Sequence, residues 1–235
     1  MTQTTYQTIA GVANPLWNPW CSDASTFDLY RRRCRRQVEE MTCASQVARM
    51  FQAWNVQPGE SVIDIGCAGG YYYWSLLDRG VPVDYYGLDY TPSLIELAMQ
   101  EMVPNSDLTP DRFILGAAEH LDHTFDYAIC CNVLTMNPHY ALPLERILRC
   151  TRKKIVLRES MAESLAVRYT PDTYLDAGKQ HIRVYHNTYP IAEVVAFMRE
   201  MGFRVTHVVD ERTNDGMELV VDVPHYWRIL VGERE

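Results

Sequence analysis

The stretch Val62-Ile63-Asp64-Ile65-Gly66-Cys67-Ala68-Gly69-Gly70 is a short apolar run, interrupted by one acid, that ends in a cluster of glycines. Ser61–Ile65 reads as a β-strand because it is mainly β-branched and apolar, and 71–78 reads as the helix that leaves the turn. Glycines at such a junction give the backbone torsions closed to other residues and allow a ligand to lie against the chain. Strand, glycine turn and helix in this order predict the opening unit of a parallel sheet with a ligand at the turn. The turn does not choose that ligand by itself. Aligned on Gly66, the dinucleotide pattern G-x-G-x-x-G calls for glycine at 68 and 71 and meets Ala68 and Tyr71. The phosphate loop fails as well, since no Lys-Ser/Thr pair follows the glycines.

Outward from this turn the chain alternates. Strands are predicted at 83–88, 112–115, 125–130 and 154–157, with helices at 92–102 and 140–149 between them. Strands separated by helices imply parallel neighbours joined by right-handed crossovers. Upstream, 23–55 has helical spacing in Leu29, Val38, Met41, Val47, Phe51 and Trp54 before the break at 57–60. Residues 1–22 read as an irregular polar arm with an aromatic anchor at Trp17, Trp20 and Cys21. Downstream, 159–189 departs from the alternation and is crowded with Tyr169, Tyr174, His181, Tyr185, His186 and Tyr189, so it reads as an insertion covering a site. A helix at 191–201 and strands at 203–209 and near 226–231 follow. No helix separates the last two strands, which predicts an antiparallel pair. The organisation expected is an arm with cap helices at 1–56 and a ligand-binding domain at 57–235, with the insertion at about 159–189.

Composition limits the partners. With 47% hydrophobic and 22% charged residues in 235, the chain is globular and neither disordered nor fibrous. A formal net charge of −8 disfavours nucleic acid, whose binding depends on cations that neutralise phosphates, and so favours a small molecule. Seven cysteines, an odd number without a C-x-x-C pair, indicate neither a disulfide framework nor a zinc site. His120 and His123 flank Asp122 but lack further ligands, so no metal is expected. The N-terminus has no signal-peptide pattern and no apolar run is long enough to span a bilayer, which predicts a soluble cytoplasmic protein without membrane contact. Fifteen Tyr and five Trp against six Phe favour a pocket that is partly apolar and partly wet.

The glycine turn resembles motif I of the class I S-adenosylmethionine-dependent methyltransferases. Asp64, Gly66, Cys67, Ala68 and Gly70 match D-x-G-C-G-x-G, with Ala68 in place of the middle glycine. Asp89, nineteen residues after Gly70 and with Tyr90 beside it, falls where that family binds the ribose hydroxyls; alternatively it caps the following helix. Leu115-Gly116-Ala117-Ala118-Glu119-His120-Leu121 resembles the family's G-D-A-E-x-L segment. Since Ala117 replaces its acid, the resemblance leaves adenine to the backbone around Ala117 and Ala118 and to Glu119. Cys131 and Asn132 occupy the strand end that faces the methyl donor, and Tyr30 in the leading helix is expected to fold over the site, with one of the arginines at 31–36 as an alternative. The resemblance implies an α/β Rossmann-like sheet of seven strands, mostly parallel with the last antiparallel, with helices on both faces. It also implies methyl transfer from S-adenosylmethionine, giving S-adenosylhomocysteine, to an N or O atom of a small metabolite.

For the acceptor, His139 at the rim and His181, Tyr185, His186 and Tyr189 in the insertion are the candidate catalytic groups, since histidine accepts protons near neutral pH and tyrosine rings exclude water. Asn137-Pro138-His139-Tyr140 looks like the N-P-P-Y signature of amine-targeting methyltransferases, but Asn137 as a helix cap with Pro138 at the first helical position explains it better. Two other functions stay open on the sequence: a non-catalytic S-adenosylmethionine-binding regulatory protein and an NAD(P)-dependent oxidoreductase. The N-terminal arm also offers a route to a homo-oligomer.

Overall fold

In the computed structural model, residues 6–14 and 18–235 are described, with side chains at 21 and 22 left aside. The expected anchor residues Trp17 and Cys21 therefore lie outside what is described. The strand β1 (Gln7–Thr8) precedes the helices α1 (Pro19–Ser22), α2 (Ala24–Cys34) and α3 (Thr42–Ala53). The alternating part follows as β2 (Ser61–Ile65), α4 (Tyr72–Asp78), β3 (Asp84–Asp89), α5 (Pro92–Glu101), β4 (Phe113–Leu115), β5 (Phe125–Cys131), α6 (Ala141–Cys150) and β6 (Thr151–Ala162). The expected insertion contains β7 (Tyr169–Pro171), β8 (Arg183–Tyr185) and β9 (Tyr189–Pro190). The chain then ends in α7 (Ile191–Glu200), β10 (Phe203–Val208), β11 (Met217–Val220) and β12 (Val223–Arg234).

Among the described residues the central sheet has ten strands: seven run in the order β4-β3-β2-β5-β6-β12-β10, β1 extends them beyond β4, and β9 and β11 pair with β6 and β12. β2 is parallel to both β3 and β5, and β5 to β6, as helical crossovers require. β12 reverses direction and slots between β6 and β10, antiparallel to both. Phe51, Leu76 and Ile95 cover one face, while Leu144, Ile147 and Val194 cover the other.

Three features depart from the sequence reading, each for a physical reason. β6 and β12 run for twelve residues, because Arg158, Glu159 and Ser160 continue β6 as buried but partnered polar groups where an apolar pattern stops. The arm is not irregular throughout, since β1 adds to the sheet edge with Gln7 opposite Ile114 and Thr8 opposite Leu115. Asn137 does not cap α6, which starts at Ala141. Asn137 instead ends a 3-10 turn at Leu134–Met136, and its Nδ2 donates to the Val133 carbonyl at 2.9 Å.

The segments over the sheet's carboxyl edge are tied to one another. Asp176 in the insertion accepts from Ala24 N and Ser25 Oγ, each at 2.7 Å, while its own amide donates to Asp23 Oδ1 at 2.8 Å. Tyr174 donates to Asp222 at the tip of the β11–β12 hairpin.

Candidate active site

Strand β2 ends in the glycine turn, where Gly66, Ala68 and Gly70 all have left-handed φ values of +68°, +50° and +83°. A Cβ on Gly66 would stand 2.5 Å from Val133 Cγ2, so this position has no room for a side chain. Gly66 and Ala68 line a cavity of about 450 Å³ at the carboxyl ends of the parallel strands, where open α/β sheets place ligands. Cys67 and Gly70 support the turn from behind: the Cys67 thiol packs under Gly87, and Gly70 packs over Phe113. Ala68 carries a strain that glycine would not, on the order of 1 kcal/mol, partly offset by the greater unfolded-state freedom of glycine. An Ala68→Gly protein is therefore expected to melt at the same temperature or up to about 3 °C higher. A thermal melt showing a clear decrease would mean that the alanine methyl makes a stabilising contact.

Two buried carboxylates stand beside the turn. Asp64 accepts from the Tyr85 hydroxyl at 2.6 Å, and burial, aided by the charge of Asp89 and opposed by the Tyr85 bond, pushes its carboxyl up to about 7. Asp89, at the end of β3, is clamped by the backbone. Ala68 N donates to one carboxylate oxygen and Thr91 N to the other, both at 2.9 Å. Burial raises the Asp89 carboxyl and these amide bonds pull it back. The Thr91 side chain and the Tyr90 backbone add to this stabilisation of the charged form. Asp64, Asp89 and Tyr90 all line the cavity.

The end of β4 adds Ala117, Ala118 and Glu119 to the same wall. The arm holds this wall in place. Ala117 N donates to the Ala10 carbonyl at 3.0 Å, and Ala13 N donates to the Tyr90 carbonyl at 2.7 Å. At the end of β5, Cys131 and Asn132 line the cavity, with Asn132 in a left-handed conformation at φ +61°. Glu159 fixes the segment beyond, accepting from the amides of Val133, Leu134 and Thr135 at 2.8–3.0 Å. From above, Tyr30 stacks on Tyr71 with ring centroids 6.1 Å apart, and Arg33 lies over both rings. Burial pushes the Tyr30 hydroxyl up to about 12.

Eleven of the thirteen cofactor candidates from the sequence thus meet at one cavity. The five catalytic candidates do not line it. His139 and His181 are exposed, and Tyr185 stacks on Tyr169 at 4.5 Å. Tyr189 is buried and donates to the carbonyls of Leu134 and Asn137. His186 is buried edge-on against His225, 5.4 Å away. Besides the cofactor candidates, the cavity is lined by Cys43, Tyr72, Arg158, Arg212, Glu218 and Trp227, among others. Of these, Arg158 had a sequence signal, a cation directly after the apolar run Ile155-Val156-Leu157. Among the described residues no cluster of three or more His, Cys, Asp or Glu is arranged for a metal.

The paired histidines make stability sensitive to acid. His225 Nδ1 lies 2.9 Å from the Val223 carbonyl, and the ring contacts His186 and Trp227 while Arg168 and Glu218 act on it electrostatically. Burial, with the charges of His186 and Arg168, lowers it to about 4, against an unfolded value near 6.5. Between those values the unfolded chain takes up a proton that the folded chain refuses, so stability falls as pH drops from about 6.5 to about 4. Asp64 acts in the opposite sense, since its raised carboxyl favours the folded state as pH falls below about 7. A His225→Phe variant isolates the histidine. Wild type should lose about 2–3 kcal/mol relative to this variant between pH 7 and pH 4, as read by denaturant unfolding at each pH. Parallel pH curves would exclude His225 as the source.

Residues 57–194 match a family profile described as a methyltransferase domain, which is more than half of the chain. The chain belongs to this methyltransferase family. It is a class I S-adenosylmethionine-dependent methyltransferase, the enzyme class expected from the glycine turn. No curated protein sequence matches the methyltransferase. Among solved structures, it is similar to magnesium protoporphyrin IX methyltransferase from Synechocystis with bound S-adenosylhomocysteine. The identity is 21%, covering 91% of this chain and 96% of that one, with a TM-score of 0.56. The mitomycin 7-O-methyltransferase is 18% identical over 93% of this chain and 60% of its own, with a TM-score of 0.58. A glycopeptide N-methyltransferase bound to S-adenosylmethionine is 14% identical over 81% of this chain and 87% of its own, with a TM-score of 0.53. At these identities the likeness is one of fold. The donor of the family is S-adenosylmethionine, and no described helix of this methyltransferase is long and apolar enough to cross a membrane.

Proposed function

We propose that the enzyme moves a methyl group from S-adenosylmethionine to an N or O atom of a small metabolite. The observation that carries this reading is the clamp on Asp89: a buried carboxylate at the cavity wall, fixed by the amides of Ala68 and Thr91 at the end of β3, where it can accept from a vicinal diol. Gly66 and Ala68 leave space for the methionine portion, Ala117 to Glu119 border the adenine, and Tyr30 with Arg33 closes the carboxylate end. Cys67 and Gly70 act by shaping the turn. Bound there, the donor supplies an electrophilic methyl on a sulfonium centre.

The chain's own contribution is placement. Methyl transfer needs the acceptor atom in line with the donor bond, and alignment of this kind supplies much of the rate. None of the described histidines lines the cavity, so we assign no proton-accepting role to His139, His181 or His186. Tyr185 and Tyr189 serve the packing of the cover. Cys131 and Asn132 border the transfer point, and the space between Cys43 and Trp227 takes the acceptor. Room beyond the donor favours an enzyme over a regulatory binder, and glycines absent at 68 and 71 disfavour a nicotinamide enzyme. Six described cysteines are free thiols, which supports a reducing, cytoplasmic setting.

Calorimetric titration of S-adenosylmethionine into wild type and Gly66→Trp tests the donor site. Saturable binding is expected for wild type and none for the variant, whose indole would collide with Val133. Equal binding by both proteins would sink the assignment.

A further inference from the structure

Arg158 is the largest of the fully buried side chains, only 2% exposed, and it lines the cavity. Three of its four faces are occupied. Nε donates to Asp210 Oδ2 at 2.5 Å, Nη1 donates to Asn132 Oδ1, and the guanidinium plane lies 4.6 Å over the Trp227 ring. Asp210 is itself immobilised by Thr213, whose amide and hydroxyl donate to it at 3.0 and 2.9 Å. The remaining nitrogen, Nη2, is buried without a hydrogen-bond partner. The thiols of Cys43 and Cys131, whose charged forms would act on Arg158, are weak acceptors and do not satisfy it. Buried donors left unpaired are rare, and this one belongs to a rigid guanidinium beside Asn132, the residue that borders the transfer point.

We propose that Arg158 selects the methyl acceptor: Nη2 holds an oxygen of the acceptor molecule, and the acceptor class is a small molecule bearing an uncharged carbonyl-type oxygen. The charge balance sets this choice. Asp210 already neutralises Arg158, and Glu218 pairs with Arg212 beside it, while elsewhere on the wall Asp89 and Glu119 stand against Arg33. A carboxylate on the acceptor would find both Arg158 and Arg212 already paired with carboxylates, and an ammonium group has nothing to accept its protons at Nη2. A neutral oxygen completes the guanidinium without adding charge. Arg158 is thus a specificity residue that orients the acceptor against Asn132 and requires no proton transfer. The inference rests on reading the cavity as the methyltransferase site.

The test uses full-length wild type and Arg158→Lys, which keeps a cation for Asp210 but lacks the second terminal nitrogen. Each is incubated with a small-molecule extract and S-adenosylmethionine carrying a CD3 group, and labelled products are identified by mass spectrometry. S-adenosylhomocysteine binding is measured in parallel. Expected are labelled products that carry a carbonyl oxygen, a KM for the acceptor at least tenfold higher in Arg158→Lys, and S-adenosylhomocysteine affinity within twofold of wild type. If the variant does not fold, wild type alone is compared on the acceptor and on its analogue with CH2 in place of the carbonyl, where a tenfold loss of kcat/KM is expected. Labelled products without such an oxygen, an unchanged KM, or an analogue used equally well would overturn the inference and leave the methyltransferase reading standing; Nη2 would then hold only a water. Wild type that neither binds S-adenosylhomocysteine nor forms labelled product would overturn that reading itself.

Discussion

Asp89→Ala is expected to weaken S-adenosylmethionine binding by about two to four orders of magnitude while leaving the fold intact. The carboxylate would make two charge-assisted hydrogen bonds to the ribose diol, at about 1.5–3 kcal/mol each, and each factor of ten corresponds to about 1.4 kcal/mol. The variant also releases the amides of Ala68 and Thr91, which the carboxylate holds at 2.9 Å, so the glycine turn loses its brace together with its ligand contact. Asp89→Asn separates the two contributions, because one amide oxygen can still accept from one backbone N–H. Calorimetry on both variants, with a thermal melt as a folding control, measures the effect. Affinity within tenfold of wild type in Asp89→Ala would move the ribose away from this carboxylate.

The largest expected change in stability comes from Asp210→Ala. Arg158 and Asp210 form an ion pair in which neither member reaches solvent appreciably, at 2% and 0% exposure. Burial pushes the Asp210 carboxyl up, but the Arg158 hydrogen bond and charge, together with Thr213, hold it below its ordinary value. Removing one member of such a pair leaves a buried charge uncompensated, at a cost of about 3–5 kcal/mol. For a chain of this size that corresponds to a melting temperature lower by roughly 6–20 °C. Arg158→Met combined with Asp210→Ala removes the charge altogether and is expected to recover most of the loss. A double variant as unstable as Asp210→Ala would assign the effect to lost packing around Thr213 and Asn214 instead of to the unpaired guanidinium.

What the sequence makes legible is local. Gly66, Ala68 and Gly70 shape one turn, and Asp89 follows them at the spacing of one helix and one strand, so residues within a single β-α-β unit can be read along the chain. The parallel direction of the strands follows for a similar reason, since helices at 92–102 and 140–149 dictate parallel neighbours, whereas their order across the sheet does not. The acceptor end obeys no local rule. Arg158 meets Asp210 fifty-two positions later, across β12, and only the assembled sheet brings them together. The tyrosines and histidines of 159–189 mislead because polar-tipped rings suit a buried packing surface as well as a pocket. Tyr189 spends its hydroxyl on the carbonyls of Leu134 and Asn137, and His186 turns toward His225, thirty-nine positions away. The residue types in that segment bear chemistry, but the direction of each side chain depends on partners that lie far along the chain.

The arm's attachment beside β4 gives the methyltransferase a thermodynamic linkage between donor occupancy and its N-terminal segment. Ala10 and Ala13 hold the backbone at Ala117 and Tyr90, on two loops that border the proposed adenine and ribose positions. A donor that orders those loops must strengthen the arm's attachment by the same free energy with which the attached arm strengthens donor binding. Occupancy of the cavity is thereby legible from outside it, as resistance of residues 6–14 to proteolysis or amide exchange.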